Sequence, residues 1–161
     1  MALYAPWGPR ILGQLARKEV GNPGNSIVLT MILSNIFADA SKARSFAAGT
    51  VIFEKGSKGD EMYVVKEGEV DIVIDDCNFE TLSPEGIFGE LSLIDQETRI
   101  ASAIARTDCT VQAIDKRRFL FLVQETPLFA IQVMKIMANR LRRVDLIVAK
   151  SHSGPLSLDE G

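Results

Sequence analysis

The 161-residue sequence is poor in the residues that most catalysis and most metal binding require. Its one histidine, His152, sits in the Ser/Gly/Pro-rich end SHSGPLSLDEG, so there is no cluster of His and carboxylate ligands for metal-dependent β-barrel chemistry. Two cysteines, Cys77 and Cys109, have neither metal-ligand spacing nor the density of a secreted disulfide scaffold, and two free thiols in a reducing cytoplasm are expected. No apolar run approaches the roughly eighteen residues of a membrane span. The N-terminus MALYAPWGPRILGQLARKEV lacks the long apolar core and small-residue cleavage site of a secretory signal. These absences exclude a metalloenzyme and a single-span membrane protein, and leave a binding module as the expectation.

What is present describes an ordinary globular chain: 47% hydrophobic and 24% charged residues, enough for one domain plus an extension. The formal net charge of −3 hides an asymmetry. Residues 54–97 carry thirteen acidic and three basic side chains, whereas residues 116–150 carry eight basic and two acidic. The basic segment reads either as a solvated helix face or as a weak surface for an anionic partner.

Punctuation and periodicity divide the chain into four parts. Residues 1–44 form an N-terminal extension, partly helical, with an amphipathic stretch over 11–20, loop residues in GNPGN, and an apolar run over 26–37. Met31 is an alternative start. Over residues 45–115 short apolar runs alternate with glycine-marked turns. Glu69-Val70-Asp71-Ile72-Val73-Ile74 has the period of two of a strand with one buried face, and strands are also expected at 50–53, 62–65, 79–82, 100–105 and 110–114. That density of short strands predicts a mainly β antiparallel sandwich or barrel with flanking helices. Residues 116–150 are helical: Asp115 is a candidate N-cap, and Pro127 suits the opening turn of a second helix. In that helix Ile136, Leu141, Val144, Ile147 and Val148 exceed what one buried stripe needs. They could pair two copies, or fold back on the β-rich part or the N-terminal segment. Residues 151–161 are expected to be a flexible tail.

The chemistry concentrates in FGELSLIDQETRIASAIA, residues 88–105. Gly89 permits a sharp turn with close backbone approach, and Leu91 and Ser92 open a short helical turn whose amides form an anion-binding geometry. Arg99 follows, a permanently charged fork matched to phosphate oxygens, with space beside the small residues Ala101, Ser102 and Ala103 and a hydroxyl at Ser102. Glu90 is wrong for phosphate and right for accepting hydrogen bonds from a sugar. Two readings fit this spacing: an exposed ion pair between Glu90 and Arg99, of about 0–1 kcal/mol, or a phosphate–sugar site that uses both charges.

The same residues resemble the phosphate-binding cassette of cyclic-nucleotide-binding domains, at Phe88, Gly89, Glu90, Leu91, Arg99, Ala101, Ser102 and Ala105. The similarity extends over residues 46–145, with glycines at 49, 56, 59 and 68 upstream and paired helices downstream. The resemblance implies an eight-stranded antiparallel β-roll (jelly-roll-like) with C-terminal helices. It implies phosphate on Arg99, ribose on Glu90, and the backbone of residues 89–92 completing the cap. Movement of the last helix over the base would be the switch. Thr98 departs from the family's proline, and Ile100 replaces a small or hydroxylated residue that cGMP-selective members use, which favours cAMP over cGMP. On the last helix Val144 and Asp145 stand where relatives contact the base, and Asp145 could accept from an adenine amino group or be solvated. The expectation is a cytoplasmic, non-enzymatic module that binds cAMP; the alternative is a domain of this fold that has lost or altered its ligand and serves protein interaction or dimerisation. With the sequence ending soon after that helix, no DNA-binding domain is expected. Output would then run in trans, through an unidentified protein effector or a homodimer.

Overall fold

A computed structural model describes residues 32–152. The amphipathic stretch expected over 11–20, the alternative start at Met31 and residues 153–161 lie outside the described residues. Eight antiparallel strands form two four-stranded sheets. One sheet has the order β1 (Ala43–Phe46), β8 (Cys109–Asp115), β3 (Glu61–Glu67), β6 (Ile87–Phe88). The other has the order β2 (Val51–Phe53), β7 (Ser102–Ala105), β4 (Val70–Ile74), β5 (Cys77–Leu82). Among the described residues four α-helices accompany them: α1 (32–37), α2 (Glu90–Asp95), α3 (Lys116–Glu125) and α4 (Pro127–His152). No single helix among the described residues is long and apolar enough to cross a membrane.

β3 explains how roll and helices become one body. Met62, Val64, Tyr63 and Val65 are all buried, but on opposite faces. Tyr63 and Val65 point into the roll with Phe88, Ala103 and Val111. Met62 and Val64 point outward onto Leu33, Ile36, Leu122, Phe129 and Val133 of α1, α3 and α4. Each such fully buried aliphatic or aromatic side chain contributes about 1.5–3 kcal/mol, so the helices are part of the core. α3 begins where expected, with the Asp115 carboxylate accepting from the Arg118 N–H at 2.8 Å. Pro127, lacking a backbone N–H, starts α4 after a break at Thr126.

Several boundaries differ from the sequence reading. The β-rich part starts at Ala43, ahead of the expected 45, with a strand β1 that was not among those expected, and α4 runs to His152, past the expected 150. The β4–β5 connection is tighter than the four residues left between the expected strands 69–74 and 79–82: Asp75 and Asp76 both have positive φ (48° and 63°), the twist of a two-residue hairpin, so Cys77 and Asn78 belong to β5. β4 does not show a clean alternation, because its outer face is half covered by the Asp71 carboxylate accepting from Thr81 (2.6 Å), Asn78 (3.1 Å) and Arg106 (3.4 Å). Cys77 is exposed, Cys109 is buried, and both are free thiols.

Candidate functional site

The turn from β6 into α2 sets the site. Gly89 caps α2 with φ +75°, and a Cβ there would lie 2.7 Å from Nη1 of Arg99. A side chain is excluded both by backbone conformation and by the arginine it would strike. The Arg99 backbone is held from the other side by the 56–58 turn: its N–H donates to Ser57 O at 2.8 Å, and its carbonyl accepts from Gly56 N–H at 2.7 Å. Thr98, where a proline was the family's choice, bridges to Lys58 in this same pairing, so backbone hydrogen bonding supplies the rigidity.

The Arg99 side chain is 5% exposed. Its Nη1 donates to Gly89 O and to Ser92 Oγ, both at 2.7 Å, and its Nη2 donates to Glu61 O at 2.6 Å. Its guanidinium lies 4.2 Å over the Phe53 ring, within the stack of Phe53, Tyr63 and Phe88. Such a desolvated cation–π contact is worth about 2 kcal/mol. Among the described residues Arg99 makes no ion pair, and its Nε is buried with no hydrogen-bond partner. Burial pulls its pKa below the usual guanidinium value, with Tyr63, Glu61, Asp60 and Glu90 opposing. Arg99 is thus a buried cation with a donor left over and no carboxylate in ion-pair contact among the described residues, a charge that its protein neighbours do not compensate.

Glu90 and Arg99 are therefore not an ion pair, and the exposed-pair reading is ruled out. Glu90, 1% exposed, accepts from Nη1 of Arg140 on α4 at 2.5 Å. Arg140 also donates from Nε to Glu80 at 2.9 Å and from Nη2 to Ile87 O at 2.7 Å. Burial alone would lower the Arg140 pKa, but the Glu90 and Glu80 carboxylates outweigh it and leave the pKa raised. Arg143 reaches Glu80 at 3.3 Å and lies over the Phe79 ring. The charge asymmetry of the sequence thus has a structural use: part of the basic helix is seated on the acidic roll.

A cavity of about 80 Å³ lies between these groups. Gly89, Glu90, Leu91, Ser92, Arg99 and Ile100 line it, as the sequence placed them. Ser102 and Asp145 do not. Ile100 precedes β7, so the strand begins later than expected; Ala103 and Ala105 then point inward and Ser102 outward, where its hydroxyl accepts from Lys55 N–H at 2.9 Å. Asp145 is exposed on α4, rotated about 140° around the helix from Arg140. Sequence reasoning missed Arg140 and the apolar walls Phe53, Ile72, Phe79 and Phe88. A signal for Arg140 existed: with Phe129, Val133 and Ile136 it falls at steps of four, three and four, a charge on the buried stripe. Of the surplus apolar residues, Ile136 packs on the core beside α1, while Leu141 (62%) and Ile147 (55%) stay exposed. Among the described residues no group of three His, Cys, Asp or Glu could hold a metal ion.

The chain is similar to known proteins in sequence and in fold. The family model for the cyclic nucleotide-binding domain matches residues 43–126. The cAMP-dependent protein kinase regulatory subunit of Candida albicans is 29% identical over 153 residues, covering 84% of this chain and 33% of that protein. The cyclic AMP receptor protein of Thermus thermophilus is 33% identical over 108 residues, covering 64% of this chain and 50% of that protein. The chain therefore spans between a third and a half of the length of these relatives. Among solved structures, the catabolite activator protein of Thermus thermophilus superposes with a TM-score of 0.65 at 27% identity, over 84% of this chain and 62% of that one.

Proposed function

The chain belongs to the cyclic nucleotide-binding domain family, and from that premise we propose that it is a cytoplasmic regulatory module responding to cAMP. Arg99 takes the cyclic phosphate, Glu90 takes the ribose hydroxyl, and the position of α4 carries the signal. The observation that supports this most is Arg99: a buried guanidinium without a carboxylate partner, whose Nε–H has nothing to donate to. The curated relatives are named for cAMP, and Ile100 at the cavity wall offers no hydroxyl to a guanine. Calorimetric titration with cAMP and cGMP tests the reading. Saturable binding with cAMP preferred supports it; no heat and no thermal shift with either nucleotide at millimolar concentration overturns it.

A second reading is favoured by two observations: Glu90 already holds Arg140, and the cavity is smaller than the roughly 300–1,000 Å³ of most ligand pockets. In that reading the roll is a ligand-independent interaction module. In both readings the output surface is α4, where Met134, Leu141 and Val148 recur seven residues apart and are 54%, 62% and 49% exposed. A second copy of the chain is the partner that spacing suits. A dimeric mass by light scattering, reduced to monomer in Leu141→Glu, is the expected result; a monomeric mass at high concentration removes this partner.

A further inference from the structure

Outside the roll, β8 carries a buried amide that its protein neighbours leave half used. Val111 and Ala113 of β8 pack into the roll, so Gln112 and Ile114 point outward, toward α1 and α3. Gln112 is 2% exposed. Its Nε2 donates to Asp39 O at 2.9 Å, which fixes the orientation of the amide, since Oε1 in that place would set acceptor against acceptor. Its Oε1 is left buried with no hydrogen-bond partner. A buried carbonyl oxygen without a donor is unfavourable and uncommon. This one belongs to the wall of a second cavity, of about 460 Å³, which is within the size range of small-molecule pockets and shares no residue with the cavity of Glu90 and Arg99.

The other walls describe what would fit. Ile36, Ile114 and the half-exposed Phe121 are apolar. α3 opens on Lys116-Arg117-Arg118 with no acidic residue in its first turn, at the end of a helix where the backbone dipole favours anions. Arg118 is committed, donating from Nη2 to Asn35 O at 2.9 Å. Arg117 lines the cavity, is exposed, and makes no hydrogen bond or ion pair among the described residues. Both wall carboxylates are in use: Asp39 accepts from the Ser41 N–H at 3.1 Å and Oγ at 2.6 Å, and Asp115 caps α3 and lies 3.7 Å from the Lys42 ammonium. Three cations (Lys42, Arg117 and Arg118) and two carboxylates leave one positive charge over.

We propose that this cavity is a second ligand site, for a small monocarboxylate with an apolar body and a neutral O–H or N–H donor. The donor goes to Gln112 Oε1, and the carboxylate goes to Arg117 at the open end of α3. The two wall carboxylates disfavour a dianion such as a phosphate ester. The basic segment of the sequence then has an anion-binding part, located at its first turn.

The test is calorimetric titration of the whole chain with para-hydroxyphenylacetate and with phenylacetate, which lacks the donor, repeated with excess cAMP present. Wild type is expected to bind the hydroxylated acid saturably and roughly fivefold tighter than phenylacetate. Gln112→Met, similar in shape and without the amide, should bind the two acids alike. Arg117→Gln, at an exposed position, should weaken both about fivefold. In a ¹⁵N-labelled sample the Gln112 side-chain amide resonances, assigned by their loss in Gln112→Met, should shift along the binding curve. Absence of saturable binding at millimolar concentration, equal affinity for the two acids in wild type, or displacement by cAMP overturns the proposal. So does a hydroxyl preference that survives in Gln112→Met. If Gln112→Met fails to melt cooperatively, Arg117→Gln decides, and unchanged affinity there overturns the site. Failure at this cavity leaves the nucleotide reading standing, because the two cavities have no residue in common.

Discussion

Two arginines line one cavity, Arg99 buried and Arg140 largely so, and they differ in almost everything else. Arg99 is held by three oxygen acceptors without full charge, two backbone carbonyls and the Ser92 hydroxyl, and keeps its Nε–H unused. Arg140 is held by two carboxylates and a carbonyl, with each of its nitrogens engaged. The opposite directions of their pKa shifts follow directly: desolvation wins at Arg99, and carboxylate charge wins at Arg140. A buried, unpaired cation persists only where the rest of the structure fixes it in place, and a perturbed buried charge in a cleft marks a candidate functional site. A buried cation between two carboxylates is a structural joint. Burial and residue type do not separate these two arginines; the charge of what surrounds each one does.

The comparison can be broken most severely at Arg99. Arg99→Lys keeps the charge and removes the fork and the Nε–H, and is expected to weaken cAMP binding roughly a hundredfold, the loss of charge-assisted hydrogen bonds of about 3 kcal/mol. Titration calorimetry measures it, and unchanged affinity would locate the phosphate elsewhere. On the Arg140 side, Glu90→Gln removes one carboxylate from a buried pair. It is expected to lower stability by about 3 kcal/mol in urea unfolding; a loss below about 0.5 kcal/mol, the range of surface substitutions, would mean that the pair is not a joint. Gly89→Ala acts between the two arginines. The Cβ would meet Nη1 of Arg99 at a positive φ, and a loss of about 1–3 kcal/mol in melting, with weaker cAMP binding, is expected. The smallest effect belongs to Ile100→Thr. Ile100 is 58% exposed, so stability should change by less than about 0.5 kcal/mol, while the ratio of cGMP to cAMP affinity should rise. An unchanged ratio would remove Ile100 as a determinant of base choice.

How far the sequence reached follows the same division. The Arg99 half of the site was legible because its parts are close in the chain. A glycine turn, a carboxylate and a fork within residues 89–99 leave few geometries open, and the small residues after them fix which side has room. The roll was legible through its glycines and through Glu69 to Ile74, whereas the face on which Ser102 lies was not: β7 turns Ala103 and Ala105 inward and Ser102 toward Lys55. The two-aspartate turn was misjudged for a backbone reason, since positive φ at Asp75 and Asp76 is not announced by the residue type as a glycine would announce it. The Arg140 half was not legible as a site. Its partners Glu80, Ile87 and Glu90 are sixty to fifty residues away, and in a segment with eight basic side chains one more arginine looks solvated. Only tertiary packing separates it from Arg142, which makes no ion pair among the described residues and whose Nη1 contacts only Asn139 at 3.5 Å.

The proposed function rests on Arg99 receiving the phosphate, with its Nε–H free of any partner among the described residues. It is tested most directly by following arginine Nε–Hε resonances in a ¹⁵N-labelled sample during titration with cAMP, with the Arg99 signal assigned by its disappearance in Arg99→Lys. The expected result is a large, saturating shift of that one resonance, tracking the calorimetric binding curve. Saturation by cAMP with the Arg99 Nε–Hε resonance unmoved would contradict the account.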